Sequence, residues 1–269
     1  MNRRLVVENP IATQETLSSM AQKIAFITGG NRGLGFQTAL DLGQNEETDI
    51  KVVIGSRDKV QGEQAVARLH AADVDADVIQ FDITKQADYQ AAYDYFDSKY
   101  GRLDILVNNA GIAGGTFPGE GPEHRAADVP MDLLRKIFET NFFAQVELTE
   151  KLLPLIRKSP AGRIVNLSSI LGSLKLHADP NSPIYHAKSF AYDASKTALN
   201  AFTVHLAYEL RDTRIKVNSA HPGWVKTDMG GESATLEVSE GGKTSAALAT
   251  LPDDGPTGGY FHMGKPLPW

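Results

Sequence analysis

From Lys23 onward the chain alternates between two periodicities, and this limits its fold more than any other feature. Short β-branched runs at 24–28, 52–55, 78–81, 105–108, 164–167 and 215–220 are separated by longer stretches of helical periodicity at 36–42, 60–69, 87–96, 133–155 and 191–210. The strands are nearly continuous apolar runs, as strands covered on both faces require. The pattern therefore predicts an α/β fold, a doubly wound parallel sheet in three α/β/α layers. No repeat or Pro/Gly/Ser linker divides residues 23–269, which read as a single domain. Asp58 and Ser189 stand where helix caps are expected. Two polar, Gly-rich segments, 114–128 and 227–240, read as mobile loops near a site.

Residues 1–22 read as a flexible arm. Arg3 and Arg4 are followed by Glu8 and Glu15 and by no apolar run, unlike a signal peptide. Met20, just before the first strand, reads as the natural start, with the arm accessory as the alternative.

Composition removes several function classes. With 27 basic and 33 acidic residues the net charge is −6, and no basic block marks a nucleic-acid or anionic-membrane partner. No window has the apolar length of a membrane span. The absence of Cys excludes disulfides, thiolate catalysis and Cys-ligated zinc, and is compatible with a cytoplasmic setting. The seven His residues show no H-E-x-x-H spacing, so no metal is expected. Gly242-Lys243-Thr244 fails as a P-loop because Glu237 stands at the first required glycine.

The first strand runs into Thr28-Gly29-Gly30-Asn31-Arg32-Gly33-Leu34-Gly35 and then a helix. Glycines 29, 33 and 35 let backbone approach a pyrophosphate, whose charge the helix N-terminus can hold. Placed after strand one of an alternating chain, the motif predicts a dinucleotide site. Where an NAD-binding chain is expected to carry Asp or Glu at the end of strand two, this one has Ser56 and Arg57, with Arg32 in the glycine turn. Two guanidiniums there suit a 2′-phosphate, so NADPH/NADP is the expected cofactor; the alternative is two solvated surface arginines. Farther on, Tyr192 and Lys196 lie four apart on one helix face, where an ammonium is expected to lower the phenol's pKa.

Taken together, Thr28-Gly29 with Gly33 and Gly35, Asn108-Asn109-Ala110-Gly111, Ser168-Ser169, Tyr192 with Lys196, and Pro222-Gly223 resemble the short-chain dehydrogenase/reductase family, in its order and over nearly the whole chain from Lys23. The run from Asp253 to Phe261 resembles the carbonyl-reductase-like branch. The resemblance implies a Rossmann fold and four catalytic residues. Tyr192 would give a proton to the substrate oxygen as hydride reaches carbon. Lys196 would depress the tyrosine pKa and bind the nicotinamide ribose. Ser169, preferred over Ser168 because Ile170-Leu171-Gly172 follows it, would hydrogen-bond the oxygen. Asn141 would hold a water linking the lysine to solvent. For the cofactor it implies Gly29, Asn31, Arg32, Gly33 and Leu34 at the turn, Arg57 at the 2′-phosphate, Asp82 and Ile83 at the adenine, and Asn109, Ala110 and Gly111 along the ribose and pyrophosphate. Tyr192 and Lys196 would also touch the cofactor, and Pro222, Gly223, Val225 and Thr227 would meet the nicotinamide carboxamide.

One departure stands out: Ser169 and Tyr192 are 192 − 169 = 23 residues apart, longer than usual in the family. A longer insertion here is associated with monomers, and this shorter one leaves monomer or homo-oligomer open. Leu171, His177, Tyr185, Trp224 and Met229 are expected to frame the substrate pocket. The expected activity is NADPH-dependent reduction of an aldehyde or ketone, with a small-molecule carbonyl partner. Alternatives are the reverse alcohol oxidation and a non-catalytic NADPH-sensing regulator.

Overall fold

The computed structural model describes residues 22–114 and 125–269. Residues 1–21, with the Met20 start, and most of the expected 114–128 loop therefore lie outside the described residues. In chain order the elements are β1 (Lys23–Thr28), α1 (Gly33–Gly43), β2 (Ile50–Ser56), α2 (Lys59–His70), β3 (Ala76–Gln80), α3 (Gln86–Tyr100) and β4 (Ile105–Asn108). Next come α4 (Met131–Phe138), a π-helical turn (Glu139–Phe143), α5 (Ala144–Ile156), β5 (Arg163–Leu167), a 3₁₀ turn (Ile170–Gly172), α6 (Leu174–Ala178) and α7 (Phe190–Glu209). The chain closes with β6 (Lys216–Ala220), α8 (Val238–Gly241), α9 (Lys243–Ala249), β7 (Tyr260–His262) and β8 (Lys265–Pro266).

The strands form one sheet in the order β3-β2-β1-β4-β5-β6-β7-β8, parallel except for the last pair. Along β1, side chains alternate between faces as the two-residue period demands. Ile24 and Phe26 join Leu106, Ile164, Val217 and the apolar faces of α3, α5 and α7 in one core. Ala25 and Ile27 join Val52, Ile54, Val107 and Val165 with α1, α2 and α9 in the other. The three expected layers result. Strand order reverses between β1 and β4, and in open α/β sheets the crevice outside the carboxyl ends at such a reversal is where ligands bind. Thr28, Asn108, Leu167 and Ala220 all end strands on that side.

Three local expectations are corrected. The single helix at 133–155 is instead interrupted by the π turn, because an inserted residue shifts the phase while leaving the apolar pattern on either side intact. Asp58 caps α2 by accepting from the Gln61 N–H (3.0 Å), but the Ser189 hydroxyl does not cap α7. There the Ser189 N–H donates to Asp193 Oδ2 (2.9 Å), so the capping side chain sits inside the helix. Within 227–240 the backbone is ordered by turns and by a bridge between Val225 and Leu236, and α8 begins at Val238.

Candidate functional site

The cofactor half is built mainly from backbone. Gly29 (φ +66°) and Gly33 (φ +53°) occupy the left-handed region. A Cβ on Gly35 would fall 2.4 Å from Gly29 O and 2.5 Å from Asn109 Nδ2, so only glycine lets α1 start this close to the turn. Thr28 Oγ1 accepts from the N–H groups of Asn109 and Ala110 (3.0 Å each), lacing the end of β1 to the end of β4. Asn109 Nδ2 in turn donates to Thr28 O (2.7 Å) and Gly29 O (3.2 Å). The Asn109 side chain is thus committed to holding the glycine turn, and what residues 109–111 offer a ligand is chiefly main chain. The first-turn N–H groups of α1 have no helical acceptors and no acidic neighbour in that turn, which is the condition for holding a phosphate.

Around this turn, Asn31 Nδ2 donates to Gln61 Oε1 (3.2 Å), and Leu34 lies under Gly241. Arg57 is exposed at the end of β2, while Ser56 is buried with its hydroxyl donating to Asp58 O (2.7 Å). Burial opposes ionisation of Asp82, yet bonds from the Thr84 N–H and hydroxyl, with the Arg57 charge, hold its carboxyl below the usual carboxylate range. Ile83 is buried, and its carbonyl accepts from the Tyr89 hydroxyl. Arg32 reaches across to Asp228, Nη1 to Oδ2 2.7 Å.

The half expected to carry the chemistry is built from buried side chains. Lys196, 4% exposed, donates to Leu167 O (2.7 Å), with Nζ 5.6 Å from the centre of the Tyr192 ring. Burial pulls its amine down to about 8. Tyr192 departs from expectation: burial pushes its phenol above the ordinary value, a hydrogen bond with Ser169 opposes this, and Asp193 adds to the rise. Desolvation outweighs the opposing hydrogen bond, so the phenol stays protonated. The geometry brings Ser169 to Tyr192, whereas Ser168 is buried and faces the Tyr260 hydroxyl in looser than hydrogen-bond geometry. Ser169 Oγ also accepts from the Leu171 N–H (3.3 Å).

Asn141 is fully buried in the π turn. Its Nδ2 donates to Ile112 O (2.8 Å) and Ser195 Oγ (3.0 Å), and its Oδ1 accepts from Ile112 N (2.8 Å). Both amide hydrogens and the amide oxygen of Asn141 are thus engaged by protein groups. A Cβ on Gly111 would sit 3.3 Å from Asn141 Oδ1 and 3.6 Å from Lys196 Nζ, so the three residues do converge.

Pro222 and Gly223 follow β6. Gly223 (φ +92°) holds a backbone conformation that favours glycine, and a Cβ there would push the Leu236 side chain aside. Val225 is buried, and Thr227 folds back toward Gly33. Of the residues expected to frame the substrate pocket, His177 stands beside Leu171. Its Nε2 contacts Leu171 O (2.9 Å) and Asp193 Oδ2 (3.4 Å), and its ring lines a cavity of about 370 Å³ with Leu174, Lys188, Phe190, Asp193 and Thr197 on the flank of α7. One contributor escaped the sequence reading. Ser195 Oγ donates to Tyr192 O (2.7 Å) while accepting from Asn141, and only its position inside the Tyr192–Lys196 segment hints at this. His221 is kept neutral, since burial and the neighbouring His262 pull its pKa down to about 3, and it accepts from the N–H groups of Ile170 (3.2 Å) and Gly223 (3.4 Å). It ties the Ser169 turn to the Pro222 turn.

Among the described residues no helix is long and apolar enough to cross a membrane. The sequence profile described as short chain dehydrogenase matches residues 23–237. Carbonyl reductase (NADPH) 1 of Mus musculus is 33% identical, the match covering 93% of this chain and all of that protein. Among solved structures, the NADPH-bound carbonyl reductase from chicken fatty liver superposes with a TM-score of 0.78 at 26% identity, covering 92% of this chain and 99% of that one. The carbonyl reductase Sniffer of D. melanogaster gives 0.76 at 30% identity, with the same coverage of both chains. A family match over most of the chain, on a sheet whose reversal point carries the glycine turn and beside which Ser169 after β5 meets Tyr192 and Lys196 of α7, places this protein in the short-chain dehydrogenase family of oxidoreductases.

Proposed function

We propose that this chain reduces the carbonyl group of an aldehyde or ketone, with NADPH as the reductant. The observation that carries the reading is the Tyr192 hydroxyl, kept protonated by burial and hydrogen-bonded to Ser169 at the carboxyl ends of the strands. Reduction needs a proton donor at the substrate oxygen, and a neutral phenol is that donor; alcohol oxidation would need the phenolate.

The residues fit the cofactor. The glycine cradle excludes side chains where a pyrophosphate would lie, and Arg32 and Arg57 supply charge suited to a 2′-phosphate. When bound, the reduced nicotinamide supplies hydride to the carbonyl carbon. Tyr192 Oη gives its proton to the carbonyl oxygen, and the Ser169 hydroxyl donates to the same oxygen, stabilising the charge that develops there. Lys196, charged below about pH 8, offsets the phenolate left on Tyr192. Asn141 and Ser195 hold the Tyr192 segment against residue 112. A sensor that only binds NADPH would have no use for a buried proton donor beside a hydroxyl.

Tyr192→Phe tests the reading. Carbonyl-dependent loss of NADPH absorbance is expected to fall by at least about 100-fold, the scale of a lost general acid, with the NADPH Kd within twofold of wild type. Retained turnover would overturn the assigned acid.

A further inference from the structure

Arg32 is offered two anions. One is the 2′-phosphate of the proposed cofactor; the other is Asp228, already in place. The two ion-pair partners are 196 residues apart in sequence, and each is set by main chain. Arg32 is the N-cap of α1, at the floor of the glycine turn. Asp228 follows Thr227, whose Cγ2 would lie 3.8 Å from a Cβ on Gly33 and whose position is fixed by a tight turn. In that turn Thr227 Oγ1 accepts from Gly230 N (3.0 Å), Gly231 N donates to Thr227 O (2.9 Å), and Trp224 Nε1 donates to Gly230 O (2.9 Å). The nearest cation on the same segment, Lys226, pairs with Glu237 and leaves Asp228 to Arg32.

We propose that Asp228 is a specificity-determining residue that weakens the grip of this site on 2′-phosphorylated nucleotides by competing for Arg32. Both side chains are solvated, 67% and 79% exposed, so the pair itself is weak. A phosphate dianion, with more charge and three acceptor oxygens, displaces the carboxylate. Displacement is not free of consequence, because Asp228 stays anchored by its turn and leaves a negative charge beside the phosphate. A nucleotide without the 2′-phosphate neither needs Arg32 nor meets that repulsion. Asp228 therefore narrows the preference for NADPH over NADH while leaving the common adenosine contacts alone.

This inference rests on the NADPH reading, and the experiment separates the two. Adenosine 2′,5′-bisphosphate and 5′-AMP, which lack the nicotinamide, are titrated calorimetrically into wild type, Asp228→Asn, Arg32→Ala and the double variant. Asp228→Asn is expected to tighten the bisphosphate by about three- to tenfold at low salt and to leave 5′-AMP unchanged, with the gain shrinking as salt screens the charges. In the Arg32→Ala background the same substitution is expected to give a smaller gain. Unchanged or weaker bisphosphate binding by Asp228→Asn, or an equal change for both nucleotides, would overturn the proposal. Should wild type show no preference for the bisphosphate over 5′-AMP, the NADPH reading falls and takes the proposal with it.

Discussion

The turn after β1 and the segment from Ser169 to Lys196 face the same crevice but are made differently. At the turn, specificity comes from what is missing: Gly29, Gly33 and Gly35 clear space, while Thr28 and Asn109 fasten two strand ends through main-chain atoms. In the second region it comes from side chains buried against their preference, among them Lys196, Tyr192, Asp193 and Asn141. A backbone cradle tolerates almost any sequence that keeps its glycines and clamps. A cluster of buried polar side chains is sensitive to each member, because desolvation amplifies every charge within it.

That contrast can be broken experimentally. The largest effect is expected from Gly35→Ala, whose methyl cannot coexist with Gly29 O at 2.4 Å. Overpacking of this kind costs about 1–3 kcal/mol, and here the strain falls on the turn proposed to cradle the pyrophosphate. NADPH affinity measured by fluorescence titration is expected to drop by about 100-fold, the reverse of Tyr192→Phe, which keeps binding and loses turnover. If Gly35→Ala binds NADPH normally, the cradle is not what holds it.

The next effect is a pH profile. Lys196 is charged below about pH 8 and neutral above it. The kcat/KM for carbonyl reduction is expected to fall as pH rises through this value, approaching about tenfold per unit. A profile flat to about pH 10, well past the lysine's titration, would detach Lys196 from the reaction.

The smallest effect concerns stability alone. Burial, opposed by the Ser189 N–H and the Lys188 charge, raises the Asp193 carboxyl from 3.8 to about 7. A raised folded-state value means the native protein binds the proton more tightly than the unfolded chain. The stability so conferred is present below about pH 4 and is lost as pH rises through about 7. Asp193→Asn, which can still accept from Ser189, is expected to stabilise the protein at about pH 8 by about 1–2 kcal/mol and by less at about pH 5. Urea midpoints at the two pH values check this, and an equal gain at both would show that the carboxylate is not the cause.

Much of the molecule is legible in its residue pattern. Two periodicities and the position of one glycine cluster suffice for the three layers and the reversal point. The neighbours of Ser169 favour it over Ser168, and the geometry brings Ser169 to Tyr192. The features that the pattern misses have one origin. The π turn, the Asn109 clamp and the capping of α7 by Asp193 each depend on which way a side chain turns once distant segments meet. The direction of the Tyr192 shift is the sharpest case. Spacing puts an amine near the phenol, but only the fold shows how deeply the phenol is buried and that desolvation raises it.

The sequence by itself determined the α/β alternation and the single wound sheet, which follow from local periodicity, and its resemblance to a known family pointed to the groups expected to run hydride chemistry. Tertiary structure alone decided that the phenol is the protonated partner, that Asn141 and Asn109 serve as clamps, and that Arg32 meets Asp228 across the crevice. Those outcomes depend on dielectric and distance, which arise only when strands far apart in the chain are packed side by side.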